Sequence, residues 1–182
     1  MLNALRTRGF HGVGLNELLV DAQAPKGVLY HHFPGGKTEL ALASIAVVVD
    51  QTTRGLDKLL RLHADPVQAL ELWMAEAEKT LAGSGYERGC PLATIALEST
   101  SQDALIRDAI AQGFTAIRAT LARALQTRGI EPARANSLAA LIVSAYEGAL
   151  IQARVAGSSE PLRDTSRTML EIIRVSLPSP RT

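Results

Sequence analysis

The chain has 182 residues, of which 47% are hydrophobic and only 4% aromatic. That length suits one large domain, or a small domain joined to a medium one, with enough apolar residues for a sizeable core. The formal net charge of +1 excludes a strongly basic tail, so any nucleic-acid binding needs a local patch and a fit to a groove.

Cysteine content and hydropathy indicate the cellular compartment of the protein. The single cysteine, Cys90, excludes an internal disulfide and suits a reducing compartment. We find no apolar run near the roughly 20 residues that a membrane span needs, and no secretory signal at the start. We therefore expect a cytoplasmic protein with no membrane partner. Ala and Leu dominate over β-branched runs of period two, which favours an all-α fold.

The first residues predict two short helices. Leu2 and Leu5 recur at helical spacing, Gly9 is placed to end that helix, and Phe10 is expected to pack inward. The stretch 15–22 predicts a second helix, because its apolar residues share one face and its glutamate lies in the first turn.

The stretch from Ala24 to Leu40 holds the most informative pattern in the sequence. A short helix over 26–32 follows the second helix after only a few residues, with Val28, Leu29 and Phe33 as its natural inward set. Two short helices joined by a tight turn, the second polar and aromatic, predict a helix-turn-helix. Such a second helix fits the major groove of B-DNA.

Longer amphipathic helices fill the remainder of the chain. Proline or acidic start signals and glycine stops delimit them. Gly55 interrupts the longest one and is expected to mark a kink or a close contact between helices. The predicted spans are 38–62, 66–82, 91–99, 103–128, 132–156 and 161–177, followed by a frayed tail at 178–182.

Metal and catalytic sites are not predicted. His31 and His32 are adjacent, so on a helix they point about 100° apart and do not easily share one ion. Cys90 stands alone and is expected to be a small buried residue rather than a redox sensor. A helical enzyme would need a nucleophile–base set or paired carboxylates, and neither occurs at suggestive spacing. We expect no cofactor, no metal and no catalytic residue.

The opening stretch resembles the TetR family of transcriptional regulators. The resemblance is carried by Gly9-Phe10, the apolar helix 15–19, Lys26-Gly27, Leu29-Tyr30, His32-Phe33-Pro34, Lys37 and Leu40. The body is similar to the branch of drug- and flavonoid-responsive repressors at 31–37 (HHFPGGK), 88–93 (RGCPLA) and Leu97-Glu98.

The resemblance implies a nine-helix, all-α homodimer in two parts. Residues 1–44 would form a helix-turn-helix domain that binds double-stranded operator DNA. Residues 45–182 would form a helical domain that holds a small hydrophobic or aromatic effector and dimerises through its last two helices. Effector binding would shift the fourth helix and release a repressor from its operator.

Candidate DNA contacts follow from the resemblance. Tyr30, His32 and Lys37 resemble the family's phosphate contacts, and their hydroxyl, imidazole and ammonium groups all donate hydrogen bonds. The candidates to meet base edges are Lys26, Gly27, Val28 and His31. Glycine lets the backbone approach closely, and valine suits a thymine methyl, although Val28 suits the core equally well.

Candidate effector contacts come from the large side chains of the body. They are Trp73, Met74, Tyr86, Phe114 and Tyr146, with Glu98 and Gln152 as polar partners. For each aromatic residue taken singly, ordinary core packing explains its presence as well as a pocket does.

Three positions depart from the family pattern. Val13 and Gly14 replace hydroxyl residues that usually cap the second helix and reach a phosphate. Gln23 replaces a frequent turn glycine and is strained if its conformation is left-handed. Relatives usually carry several residues before the counterpart of Met1, so the first helix is expected to be short unless residues precede it in the native protein. These departures keep an alternative open: a helical dimerisation or small-molecule-binding protein whose DNA-reading unit has decayed.

Overall fold

A computed structural model describes residues 1–178, and this part of the chain contains helices and no strands, as the sequence predicts. The helices are α1 (Leu2–Arg8), α2 (Leu15–Asp21), α3 (Lys26–His32), α4 (Gly36–Leu62), α5 (Pro66–Gly83), α6 (Pro91–Glu98), α7 (Ala104–Thr127), α8 (Pro132–Ala156) and α9 (Glu160–Ser176). The predicted frayed tail lies outside the described residues beyond position 178.

Local chemistry accounts for where these helices begin and end. Asp65 caps α5 by accepting a hydrogen bond from the Val67 N–H at 2.9 Å. Glu131 caps α8 by accepting from the Ala133 and Arg134 N–H groups, each at 3.0 Å, and these bonds lower the pKa of its carboxyl. Gly157, at φ 59°, ends α8 in the left-handed conformation that glycine adopts most easily.

The core of the body lies among α4, α7 and α8, with α5 and α9 against it. The approach of α7 to α4 is close at Gly113, where an added Cβ would lie 2.6 Å from Val49 Cγ2. The predicted close contact at Gly55 is wrong, because an added Cβ there would meet no atom within 4 Å. The glycine that matters for packing is therefore on α7.

Helix α8 is long and apolar enough to cross a membrane by length and composition alone, a property that our sequence interpretation missed. In the fold it packs against α7 and α9 and buries residues from Ala135 to Ala153 along its length. Burial explains the apolar character of the side that faces α7 and α9, while 39% of the most apolar stretch is buried in all.

The N-terminal unit is joined to the body without a break. Leu5 on α1 and Phe10 after it are both buried and belong to the same apolar cluster as the body, which fulfils the predicted inward packing of Phe10. Helix α4 runs from Gly36 to Leu62 through position 44, so the predicted domain division falls inside one continuous helix.

Candidate DNA-binding surface and effector cavity

Helices α2 and α3 are held by few buried side chains and joined by a tight turn. Leu18, Leu19 and Leu29 are the buried residues of the two helices. Gln23 in the turn has φ 51°, so the left-handed strain predicted there is present. At the start of α2, Gly14 provides no side-chain cap, as its sequence implied.

The outward side of α3, here called the α3 face, carries every residue that we predicted to meet DNA from this helix. The exposed residues are Lys26, Gly27, Val28, Tyr30, His31 and His32. The expectation that Val28 packs inward is wrong, since 48% of it is exposed. The inward packing predicted for Leu29 is confirmed, since only 8% of it is exposed.

The start of α4 continues this surface. An added Cβ at Gly36 would lie 3.4 Å from Tyr30 Cε1, so Tyr30 lies directly beside the first turn of α4. Lys37 Nζ lies 4.5 Å from the centroid of the Phe10 ring, in a cation–π contact that positions its ammonium group. The three predicted phosphate donors thus come from the adjoining ends of two helices.

Metal chemistry finds no support in the described residues. No three His, Cys, Asp or Glu side chains within residues 1–178 lie close enough together to hold an ion. His31 and His32 contact each other edge to face, with ring centroids 5.0 Å apart.

A second candidate site is a cavity of about 210 Å³ inside the body. Trp73 on α5 and Tyr146 on α8 form one wall as a stacked pair, with ring centroids 4.2 Å apart and ring planes 23° apart. Other lining residues include Val48 and Thr52 of α4, Leu92, Ile117, Val143 and Leu150, which make most of the surface apolar. An apolar cavity with a stacked aromatic wall suits a small planar molecule.

Two polar groups that line the cavity are buried and lack hydrogen-bond partners. One is Nε of Arg6 on α1, and the other is Oε2 of Glu147 on α8. Burial raises the pKa of Glu147 to about 7, with a hydrogen bond from Cys90 offsetting part of the rise. Burial, with the nearby carboxyl of Glu147, raises the pKa of Cys90, so Cys90 is a thiol and a poor nucleophile.

The predicted effector contacts divide between this cavity and other places. Trp73 and Tyr146 line it, whereas Met74 is buried on the side of α5 that faces α9. The Tyr86 hydroxyl lies 3.3 Å from Ser159 Oγ. Phe114 is half-buried and Gln152 is exposed, and neither lines the cavity.

Glu98 ties the N-terminal unit to the body. Its carboxylate accepts hydrogen bonds from the backbone N–H groups of Phe10 and His11. Beside it, His11 Nε2 lies 3.0 Å from Asp103 Oδ2. Hydrogen bonds from the Thr100 backbone and from His11 lower the pKa of Asp103 to about 2. Arg154 of α8 also donates to the Thr7 carbonyl at 3.0 Å.

Sequence reasoning missed Arg6 and Glu147. A signal did exist for Glu147, because it interrupts the otherwise apolar face of α8 beside Tyr146. Arg6 gave no signal, since an arginine in a short N-terminal helix is usually solvated, and only the packing of α1 on α6 brings it to the cavity.

The fold and these two sites define a class of protein: a helix-turn-helix DNA-binding regulator with a cavity in its body. The chain belongs to the TetR family of bacterial transcriptional regulators. Residues 2–44 match the family described as "Bacterial regulatory proteins, tetR family", and residues 66–168 match "Transcriptional regulator LmrA/YxaF-like, C-terminal domain". Members of this family are DNA-binding regulators that act as dimers on operator DNA, and they are not enzymes.

Individual relatives agree with this assignment. The uncharacterised regulator YxaF of Bacillus subtilis is 29% identical over 155 residues, which is 85% of this chain and 81% of that one. The crystal structure of regulatory protein TetR from Rhodobacter sphaeroides has a TM-score of 0.81 at 28% identity and covers 93% of both chains. The regulator CifR, solved with a 26-base-pair operator DNA, has the same fold, with a TM-score of 0.79 at 20% identity over 97% of this chain and 94% of that one.

Proposed function

We propose that this chain is a homodimeric repressor that leaves its operator when a small effector binds in the cavity. One observation carries the proposal: the cavity wall includes Arg6 of α1 and Val48 and Thr52 of α4, the two helices that connect the α3 face to the body. An effector in the cavity therefore contacts the supports of the DNA-binding unit. Such a regulator acts in the bacterial cytoplasm.

The DNA side of the proposal depends on the α3 face and the start of α4. Tyr30, His32 and Lys37 supply donors for backbone phosphates, which fix position without reading sequence. Lys26, Gly27, Val28 and His31 would meet base edges in the major groove, with the exposed valine available to a thymine methyl. In this arrangement residues 1–44 carry the DNA contacts.

The effector side depends on the stacked pair, Trp73 and Tyr146. The cavity of about 210 Å³ is smaller than the roughly 300–1,000 Å³ that drug-sized ligands occupy, so a compact hydrophobic or aromatic effector fits it best. Of the predicted effector contacts, only this pair is placed for the role, so we assign Met74, Tyr86, Glu98, Phe114 and Gln152 to packing, to junctions or to the surface.

The dimer interface is assigned to the outer face of α8 together with α9. Leu141, Ile151 and Val155 are exposed there, with 42%, 40% and 85% of their surfaces accessible. Between them Ala145 and Gly148 are small enough for another helix to approach closely. Two such helices from each protomer would form a four-helix bundle about a two-fold axis.

A gel-shift titration with DNA from upstream of the gene tests the function. We expect sub-micromolar binding to a palindromic site and at least 10³-fold weaker binding to a scrambled duplex. Salt-sensitive binding that is blind to sequence would contradict the proposal and favour the alternative of a decayed DNA-reading unit.

A further inference from the structure

We propose that the effector is a small planar carboxylate whose anionic group binds Arg6 of α1 while its ring packs against Trp73 and Tyr146. The inference rests on the proposed function, because it names the chemical class of the effector and the residue through which the effector acts on the DNA-binding unit.

Arg6 has unused hydrogen-bonding capacity. Its Nε is buried without a partner, and Arg6 takes part in none of the ion pairs found within residues 1–178. A buried donor without an acceptor is costly, and a guanidinium binds a carboxylate in a planar, bidentate geometry. An anionic ligand group is therefore the partner that this position lacks.

The charged residues that line the cavity also favour an anionic ligand. Among them, Glu76 and Arg88 are exposed and offset one another, which leaves Arg6 and Glu147 with their buried polar atoms. Because the pKa of Glu147 is raised to about 7, a large fraction of this carboxyl is protonated near neutral pH. A protonated Glu147 donates a hydrogen bond to a carboxylate, so Arg6 and Glu147 together carry net positive charge.

The size and shape of the cavity favour a small planar ligand. About 210 Å³ accommodates a single ring with a short acidic side group, and the stacked pair supplies the flat apolar wall.

The position of Arg6 also explains how the ligand would act on DNA binding. Arg6 precedes Thr7, whose carbonyl accepts a hydrogen bond from Arg154 of α8. It also lies four residues before Phe10, whose N–H is bound by Glu98 of α6. A carboxylate held jointly by Arg6 and Glu147 would draw α1 toward α8 and change how the DNA-binding unit sits on the body.

The test uses Trp73, the single tryptophan of the chain, as a reporter in the cavity wall. Its fluorescence is titrated with two matched pairs, benzoate with benzamide and cinnamate with cinnamamide. We expect at least one acid to bind about tenfold or more tightly than its amide, since a charged hydrogen bond is replaced by a neutral one. Arg6→Gln should abolish that preference and Arg6→Lys should restore part of it.

Arg107→Gln is the matched control, because it removes an exposed arginine of α7 that does not line the cavity and should leave the preference intact. Circular dichroism verifies that each variant is folded. Amides that bind as tightly as acids, acids that do not bind the folded wild type, or unchanged acid binding by folded Arg6→Gln would each overturn the inference.

Operator binding, measured separately by gel shift, keeps the two proposals distinguishable. A protein that binds its operator but neither acid overturns the effector class alone. A protein that binds an acid through Arg6 but shows no operator preference overturns the repressor and leaves the site chemistry standing.

Discussion

Glu147 is a carboxyl group placed where its charge is disfavoured. It lines the cavity, and burial raises its pKa from 4.5 to about 7. The titratable and charged groups that line the cavities on its two sides are Arg6, Arg8, Glu76, Arg88, Cys90, Glu98, Tyr146 and Arg154. An acid whose pKa is raised by folding binds its proton more tightly in the native state, so folding is favoured at low pH.

Replacing Glu147 with glutamine should therefore change how stability depends on pH. Between about pH 4.5 and 7 the unfolded wild type has lost this proton while the folded protein keeps it, so wild-type stability falls relative to Glu147→Gln as pH rises. The difference should grow by up to about 3 kcal/mol and level off above pH 7. Urea unfolding at pH 5, 6, 7 and 8 measures it; parallel curves for the two proteins would contradict a buried, neutral Glu147.

The roles predicted for the phosphate donors can be tested by substitution and measurement of operator binding. Lys37→Met should weaken operator binding uniformly across sequences and reduce the slope of log affinity against log salt by about 1. Tyr30→Phe removes a hydroxyl and should weaken binding with little change in that slope. Lys58→Met, an exposed lysine near the C-terminal end of α4, is the control and should change neither. Equal effects of Lys37→Met and Lys58→Met would remove Lys37 from the interface.

The α3 face is easier to predict from the sequence than the cavity. The α3 face is local, because six of the seven residues of α3 are exposed and only Leu29 is buried; which of the six meet DNA stays a prediction. Val28 was the ambiguous member, because a valine on a short helix suits either side. Arg6 and Glu147 line one cavity although they are far apart in the chain, and no periodicity in the sequence predicts that.

At the scale of elements, the contact between α4 and α7 holds the body together. It depends on the missing side chain of Gly113, since an added Cβ would lie 2.6 Å from Val49 Cγ2. From the sequence we singled out Gly55 instead. A glycine inside a helix can lie at a close contact between helices or in open space, and its position in the sequence does not distinguish these two cases.

Gly113→Ala should destabilise the protein by about 1–3 kcal/mol through overpacking. Gly55→Ala, with open space around its Cβ, should raise stability by up to about 1 kcal/mol through better helix propensity. Thermal or urea unfolding compares the two. Adding Val49→Ala to Gly113→Ala should recover part of the loss, and a purely additive double variant would argue that the clash lies elsewhere.

At the scale of the whole molecule, the helical boundaries were largely predictable and the assembly of the helices was not. Start signals such as Asp65-Pro66 are local, and the cap that they predict is present. The burial of α8 and the inclusion of α1 in the core depend on tertiary contacts between distant segments. Helix α8 also shows the limit of hydropathy, since a helix that packs one side against the protein core can have the composition of a membrane span.

The dimer proposal is tested by charging the outer face of α8. Leu141→Glu with Val155→Glu should convert the dimer to a monomer, because four carboxylates would be buried across the two-fold axis. Leu62→Glu, an exposed leucine at the end of α4, should leave the dimer intact. Light scattering after size exclusion reads the mass directly, and a double variant that stays dimeric would place the interface on another face.

The continuity of α4 couples the cavity of this regulator directly to its α3 face. From Thr52 at the cavity to Gly36 beside the α3 face, the helix is a rigid rod about 24 Å long. A tilt of about 5° at its inner end would swing the outer end by about 2 Å, and two-fold symmetry doubles the change between the paired α3 helices. Successive major grooves recur at about 34 Å, so a small molecule that moves the rod slightly would spoil the spacing that both half-sites require.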